Sequence, residues 1–272
     1  MGQAIFPGLK LPEVLSIDPP KPHLPTSTIF HILWFPVTNT ILAAWVTIAV
    51  LTGLFFAASR RMKLVPRGLQ NFMEIFVESL LNFAVSVAGS KNGRRFFPVA
   101  ATIFLFVFFN AWLALVPGYG SILIGEGDHQ VHLLRGANTD INLPLALALM
   151  SFVFVEYWGI TSVGFFRYME KFVNVRNLLR GRILTGIIDI FVGILEFMSE
   201  LIRIVSFTFR LFGNMTAGEI LLLVMFFMVP FVVAIPFYLL EMMVGLVQAL
   251  VFAGLTLVFA TIAVTAHGEG HE

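Results

Sequence analysis

Arg210 lies inside a long apolar run, Ser206-Phe-Thr-Phe-Arg210-Leu-Phe-Gly-Asn214-Met-Thr-Ala-Gly-Glu219. A guanidinium stays charged at any ordinary pH, and at the centre of a membrane helix it costs about 3 kcal/mol on insertion scales. A charge kept there needs a carboxylate or an aqueous cavity beside it, so the first expectation is an ion pathway. The surrounding residues are ordered. Glu196, Arg203 and Arg210 are seven apart and stack on one helix face, continued by Asn214 four residues on. Arg203 can pair with Glu196 or with Glu200. Glu219, nine residues past Arg210, falls on a different face. In the next apolar segment Glu241 and Gln248 are again seven apart and share a face. No basic residue lies within a turn of sequence of Glu219 or Glu241, which makes both candidates to carry an ion. The pattern is two offset polar patches with a fixed cation between them: Asn214, Glu219, Glu241 and Gln248 on one side, Glu196 and Glu200 on the other.

Other chemistry finds less support. There are no Cys residues, which excludes disulfides, zinc-thiolate sites and thiol nucleophiles. All six His residues fall outside the apolar segments. His129 with His132, or His267 with His271, could bind a metal, but they read more simply as loop histidines. Gly89-Ser-Lys-Asn-Gly lacks the spacing of a phosphate-binding loop. No nucleophile or acid–base pair stands out at membrane depth, so no active-site chemistry, cofactor or metal is expected. Asp189 reads as an interfacial residue in a first helical turn. Glu156 stands alone in its segment and must face a partner or water.

The elements that must position these groups are membrane spans. Of 272 residues 58% are hydrophobic and 12% charged, against roughly 25% charged in soluble domains. The apolar segments are long and unbroken rather than alternating, which favours helices over a barrel. The net charge of +1 gives no reason to expect nucleic acid. The first 38 residues hold seven prolines and read neither as a helix nor as a signal peptide, so the first span is expected to be an uncleaved anchor. Spans are expected near residues 38–58, 96–116 and 141–166. Residues 69–87 read as an amphipathic helix, with Asn71, Glu74, Glu78 and Asn82 on the polar side. It either lies along the interface or packs on neighbouring spans with its polar face in a cavity. From Gly186 to Val229 an unbroken helix would be ~60 Å long, against a hydrocarbon core of ~30 Å. It is therefore strongly tilted, broken near Gly213, or partly outside the membrane. Pro230 and Pro236 predict a turn before a second long helix reaching Thr265.

The expected fold is an all-α integral membrane protein with five crossings and an interfacial helix, the last two helices long, tilted and forming a hairpin. It is a single membrane domain: a Pro-rich extracytoplasmic segment (1–37), three spans with the interfacial helix (38–166), and the hairpin (186–265). Loop 60–95 has seven basic and two acidic residues, loop 117–140 one and three, and loop 167–186 five and one. The positive-inside rule then puts the N-terminus outside and the C-terminus in the cytoplasm.

At these residues the chain resembles the a-subunit family of F-type ATP synthases. Arg-Leu-Phe-Gly-Asn-Met-Thr-Ala-Gly-Glu, 210–219, is similar to that family's signature. Phe97-Pro98 through Phe109-Asn110 to Leu115-Val116-Pro117-Gly118 resembles its second-span pattern. Thr139-Asp140-Ile141-Asn142 resembles the opening of its next span, and Glu-Met-Met-Val-Gly-Leu-Val-Gln-Ala, from Glu241, its last helix. The resemblance spans roughly residues 35–265. Some members carry His where Glu241 stands here. It implies a stator subunit of the rotary motor, in a bacterial inner membrane, partnered by the c-ring, peripheral-stalk b subunits, other synthase subunits and lipid. Protons would enter from outside past Glu219, Glu241, Asn214 and Gln248. They would neutralise a ring carboxylate and leave past Ser206, Glu196 and Glu200, with Arg210 separating the two half-channels. The competing expectation is a stand-alone ion channel or secondary transporter.

Overall fold

Thr38 accepts a hydrogen bond from the Ile41 amide (3.4 Å) and so caps the first helix, α1, Asn39–Ser59. This computed structural model describes residues 28–32, 34–60, 62–63, 67–119, 122–124, 131–169, 183–228 and 234–265. After α1 come α2 (Leu69–Ala114), α3 (Asn142–Val163), α4 (Phe165–Met169), α5 (Ile183–Met228) and α6 (Ala234–Thr265). Among the described residues five helices, all but α4, are long and apolar enough to cross a membrane, so the chain is an all-helical integral membrane protein. Two short antiparallel pairings, Thr28–Ile32 with Phe35–Thr38 and Leu123–Ile124 with Val131–His132, lie before α1 and between α2 and α3. Most of the Pro-rich start, the basic stretch 170–182 and Pro230 lie outside the described residues.

Gly89 breaks the direction of α2. Its φ of 78° and ψ of 166° suit a residue without Cβ. The amphipathic half precedes this kink, burying Met73, Leu80, Ala84 and Ala88 and exposing Asn71, Glu74, Glu78 and Asn82. Phe72 and Ile75 are exposed as well. Residues beyond the kink are more apolar and more buried, from Phe96 to Ala111. Asp140 opens α3: Oδ1 accepts from the Asn142 amide (3.1 Å) while Oδ2 accepts from Thr40 of α1 (3.1 Å). The Thr139-Asp140-Ile141-Asn142 motif thus forms the turn into α3 and also ties two helices. α5 runs unbroken through Gly213 for 46 residues, ~70 Å of helix. A break there is therefore ruled out, and tilt or an extramembrane end accounts for the length. Pro236 sits in the first turn of α6, where its missing N–H costs no ladder bond.

Helices α2, α3, α5 and α6 share one core built from Ile103, Phe104, Val107, Phe108, Leu211 and Phe252, with Ala148, Ala249 and Ala253 as small spacers that admit close helix approach. Asn110 anchors the α1 side. Its Nδ2 donates to Thr47 (3.2 Å) and its Oδ1 accepts from the Ala137 amide (3.1 Å). Asn110→Leu strands that buried amide and should cost about 1–3 kcal/mol, read as a lower thermal midpoint of the detergent-purified protein. An unchanged midpoint would remove Asn110 from the account of stability.

Candidate functional site

α5 carries the candidate groups past α6 and α3. Arg210 is exposed, and among the described residues it makes neither an ion pair nor a hydrogen bond. Around it α5 presents bare apolar side chains, including Ile202, Val205 and Phe209. Ser206, one turn earlier, is exposed too. A permanent cation on an apolar exposed face of a spanning helix is costly without an anion or water beside it.

One turn beyond Arg210, the Asn214 amide donates to Oε1 of Gln248 on α6 (2.8 Å), and Gln248 is 3% exposed. This polar bond joins the two long helices at the level where the signature sits. Glu241 is buried, and its carboxylate fills the space over Gly218. A Cβ on Gly218 would come within 2.0 Å of both carboxylate oxygens. The start of α6 is held on α2 by Trp112 Nε1 donating to the Met242 carbonyl (3.2 Å) and by Tyr238 donating to the Leu115 carbonyl. That fixes where Glu241 can reach.

Glu219 differs. Arg135, from the stretch before α3, grips it in a bidentate pair, with Nε to Oε1 and Nη2 to Oε2 both at 3.0 Å. Arg135 is 11% exposed and Glu219 43%. Sequence reasoning found no cation near Glu219 because the cation is 84 residues away. The one available signal was that Arg135 is the sole basic residue of an acidic loop. Glu219 therefore anchors that loop to α5 as well as lining the patch.

At the other end of α5, Arg203 pairs with buried Glu200 (2.7 Å) and lies 3.8 Å over the Phe259 ring of α6. Although spaced seven from Arg210, Arg203 is half-buried and committed within the chain. Glu196 is half-buried a turn before Glu200. Tyr168, which sequence reading did not single out, is buried at this end facing Glu156. Burial pushes its phenol pKa up, and the nearby Glu156 carboxylate pushes the same way. The described site thus divides into the patch Asn214–Gln248–Glu241–Glu219, the patch Glu200–Arg203, and exposed Arg210 between them.

Comparison with known proteins places the chain in a family. The sequence profile of the ATP synthase A chain family matches residues 41–261. The chain is 35% identical over 233 residues to ATP synthase subunit a of Gloeobacter violaceus, covering 86% of each protein. It is 33% identical over 225 residues to ATP synthase subunit a of Campylobacter jejuni, covering 82% of this chain and 88% of the relative. For ATP synthase subunit a of Helicobacter pylori the identity is 31% over 241 residues, covering 88% and 96%. With the five spans and the 210–219 signature on one long helix, these matches make the chain a member of the ATP synthase A chain family.

Proposed function

We propose that this chain is the proton-translocating stator subunit of an F-type ATP synthase, and that Arg210 is the charge separating two half-channels that serve a rotating ring of carboxylates. The observation that carries the reading is Arg210 itself, exposed on an apolar helix face with no partner among the described residues of its own chain. The ring supplies the missing anion. Arg210 lowers the pKa of the ring carboxylate facing it and promotes proton release. Because it does not give up its own proton, it blocks direct leakage between the half-channels.

Entry runs through Glu241, Gln248 and Asn214, with Glu219 held beside them by Arg135. Exit runs past Ser206 toward Glu200 and Glu196. The basic loops lie in the cytoplasm of a bacterial cell, the N-terminus lies outside, and the membrane is the inner one. α5 and α6 form a tilted hairpin that embraces the ring. The α2 segment before Gly89 lies along the interface, where its exposed Phe72 and Ile75 meet lipid or the peripheral-stalk b subunits.

The test is purification followed by transport. The chain should co-purify with a small ring-forming hairpin protein, and the reconstituted complex should pump with ATP at the same rate with or without Na⁺. A homo-oligomer of this chain that transports alone would overturn the stator reading. Pumping that requires Na⁺ would overturn the choice of ion.

A further inference from the structure

Asn138 is 1% exposed, yet neither its Oδ1 nor its Nδ2 meets a hydrogen-bond partner among the described residues. It stands in the short 3-10 turn Ala137–Thr139 that leads into α3. This turn packs against α1, α2 and α5. Its other residues occupy the first two. Ala137 lies against Ala43 and Ala44 of α1. Gly136, just before the turn, faces α2: an added Cβ there would meet Ala114 at 3.2 Å, with the Thr139 methyl beside it at 3.4 Å. Successive side chains of a 3-10 turn point roughly 120° apart. Asn138 is therefore directed to the side that remains, toward α5.

α5 offers a matching group. Arg135, three residues before Asn138, holds Glu219 at 3.0 Å and so fixes this segment on one side of α5. Thr216 is three residues before Glu219 and shares that side. It is 8% exposed, and its hydroxyl meets no partner among the described residues. Thr208 on the same helix behaves differently, donating to the Ile204 carbonyl (2.8 Å). A buried polar atom left unmet is costly. Native proteins meet such atoms with ordered water, which typically makes about three hydrogen bonds. The Asn138 carbonyl, the Asn138 amide and the Thr216 hydroxyl supply that number.

We infer that Asn138 and Thr216 hold one ordered water between the 137–139 turn and α5, beside the Glu219–Arg135 pair, and that this water passes protons inward from the extracytoplasmic side. The direction of transfer rests on the translocation reading above. The site adds the stretch before α3 to an entry path otherwise drawn from α5 and α6. The water accepts a proton on its outer side as it gives one up past Glu219 toward Glu241, so no charge accumulates on it. Asn138 and Thr216 are positioning residues: they orient the water.

The test uses the complete ATP synthase, purified for thermal unfolding and reconstituted in vesicles for ATP synthesis driven by an imposed proton gradient. Thr216→Val keeps the shape of the side chain and removes the hydroxyl. It should lower the unfolding midpoint and cut synthesis by ~10-fold, the barrier equivalent of one lost hydrogen bond. Thr216→Ser should restore both. Asn138→Leu should behave like Thr216→Val, and the double variant should be no slower than the slower single one, because one water cannot be lost twice. An unchanged or higher midpoint in Thr216→Val would show a dry hydroxyl and overturn the site, as would Thr216→Ser impaired as much as Thr216→Val. Single effects that multiply in the double variant would overturn the shared water. If Asn138→Leu does not assemble, the comparison of Thr216→Val with Thr216→Ser decides. Arg210→Ala is run alongside. Loss of synthesis in that control with wild-type synthesis in Thr216→Val defeats the water step alone, whereas wild-type synthesis in the control defeats the translocation reading itself.

Discussion

Arg210→Ala should abolish both ATP synthesis and ATP-driven pumping, a loss of at least ~100-fold, while the amount of assembled complex stays close to wild type. The structure explains why function and assembly separate. Arg210 makes no internal ion pair or hydrogen bond with a described residue and packs on no core cluster. Removing it therefore takes away a charge without opening a cavity. The folded chain gains stability in lipid, because an apolar methyl replaces a guanidinium on an apolar face. On the proposed function, what is lost is the cation that promotes proton release from the ring carboxylate and blocks the short path between half-channels. Arg210→Lys should fail as well, since an ammonium is more strongly hydrated and surrenders its proton more readily when desolvated. The measurement is pumping in vesicles beside immunodetection of the subunit and its ring. Normal pumping in Arg210→Ala would refute the role.

Gly218→Ala should come next in size, lowering coupled pumping by ~10-fold or more. The added Cβ would lie 2.0 Å from both oxygens of Glu241, so the carboxylate must move. Being the far end of a flexible side chain, it can move without unfolding α5, and Ala is the better helix former. Stability should therefore hold while transport falls. Gly213→Ala is the internal control, because a Cβ there meets nothing within 4 Å. Equal rates in the two variants would show that the carboxylate's place over Gly218 does not matter to transport.

Much of this was legible in the sequence because a membrane imposes long apolar helices. α1 begins at Asn39 where 38 was expected, α3 at Asn142 where 141 was expected, and the Gly164 break with φ 93° ends α3 short of the expected 166. Gly213 could not be decided from the sequence. A mid-helix Gly costs only about 1 kcal/mol, which packing of Leu211 and Met215 against α2 and α6 outweighs. In the site, the spacing of seven put Glu241 and Gln248 on one face, and both are buried. It stacked Arg203 and Arg210 on one face and offered Arg203 a pairing with Glu196 or Glu200, of which the one with Glu200 forms; helical geometry alone does not say which face another helix will cover. Here Phe259 of α6 covers Arg203 and nothing described covers Arg210. Arg135 with Glu219, and Tyr168 with Glu156, join residues on different elements. No local pattern encodes such pairs, and only the folded packing of loop on helix or α4 on α3 makes them.

The central claim is that a carboxylate of another polypeptide answers Arg210 inside the membrane. Arg210→Cys in the assembled complex, combined with a Cys at the carboxylate depth of the ring subunit, tests it by disulfide formation, with Ser206→Cys as a control on the same exposed stretch. The account predicts that position 210 crosslinks to the ring. Persistent failure at 210 while position 206 reacts would contradict it.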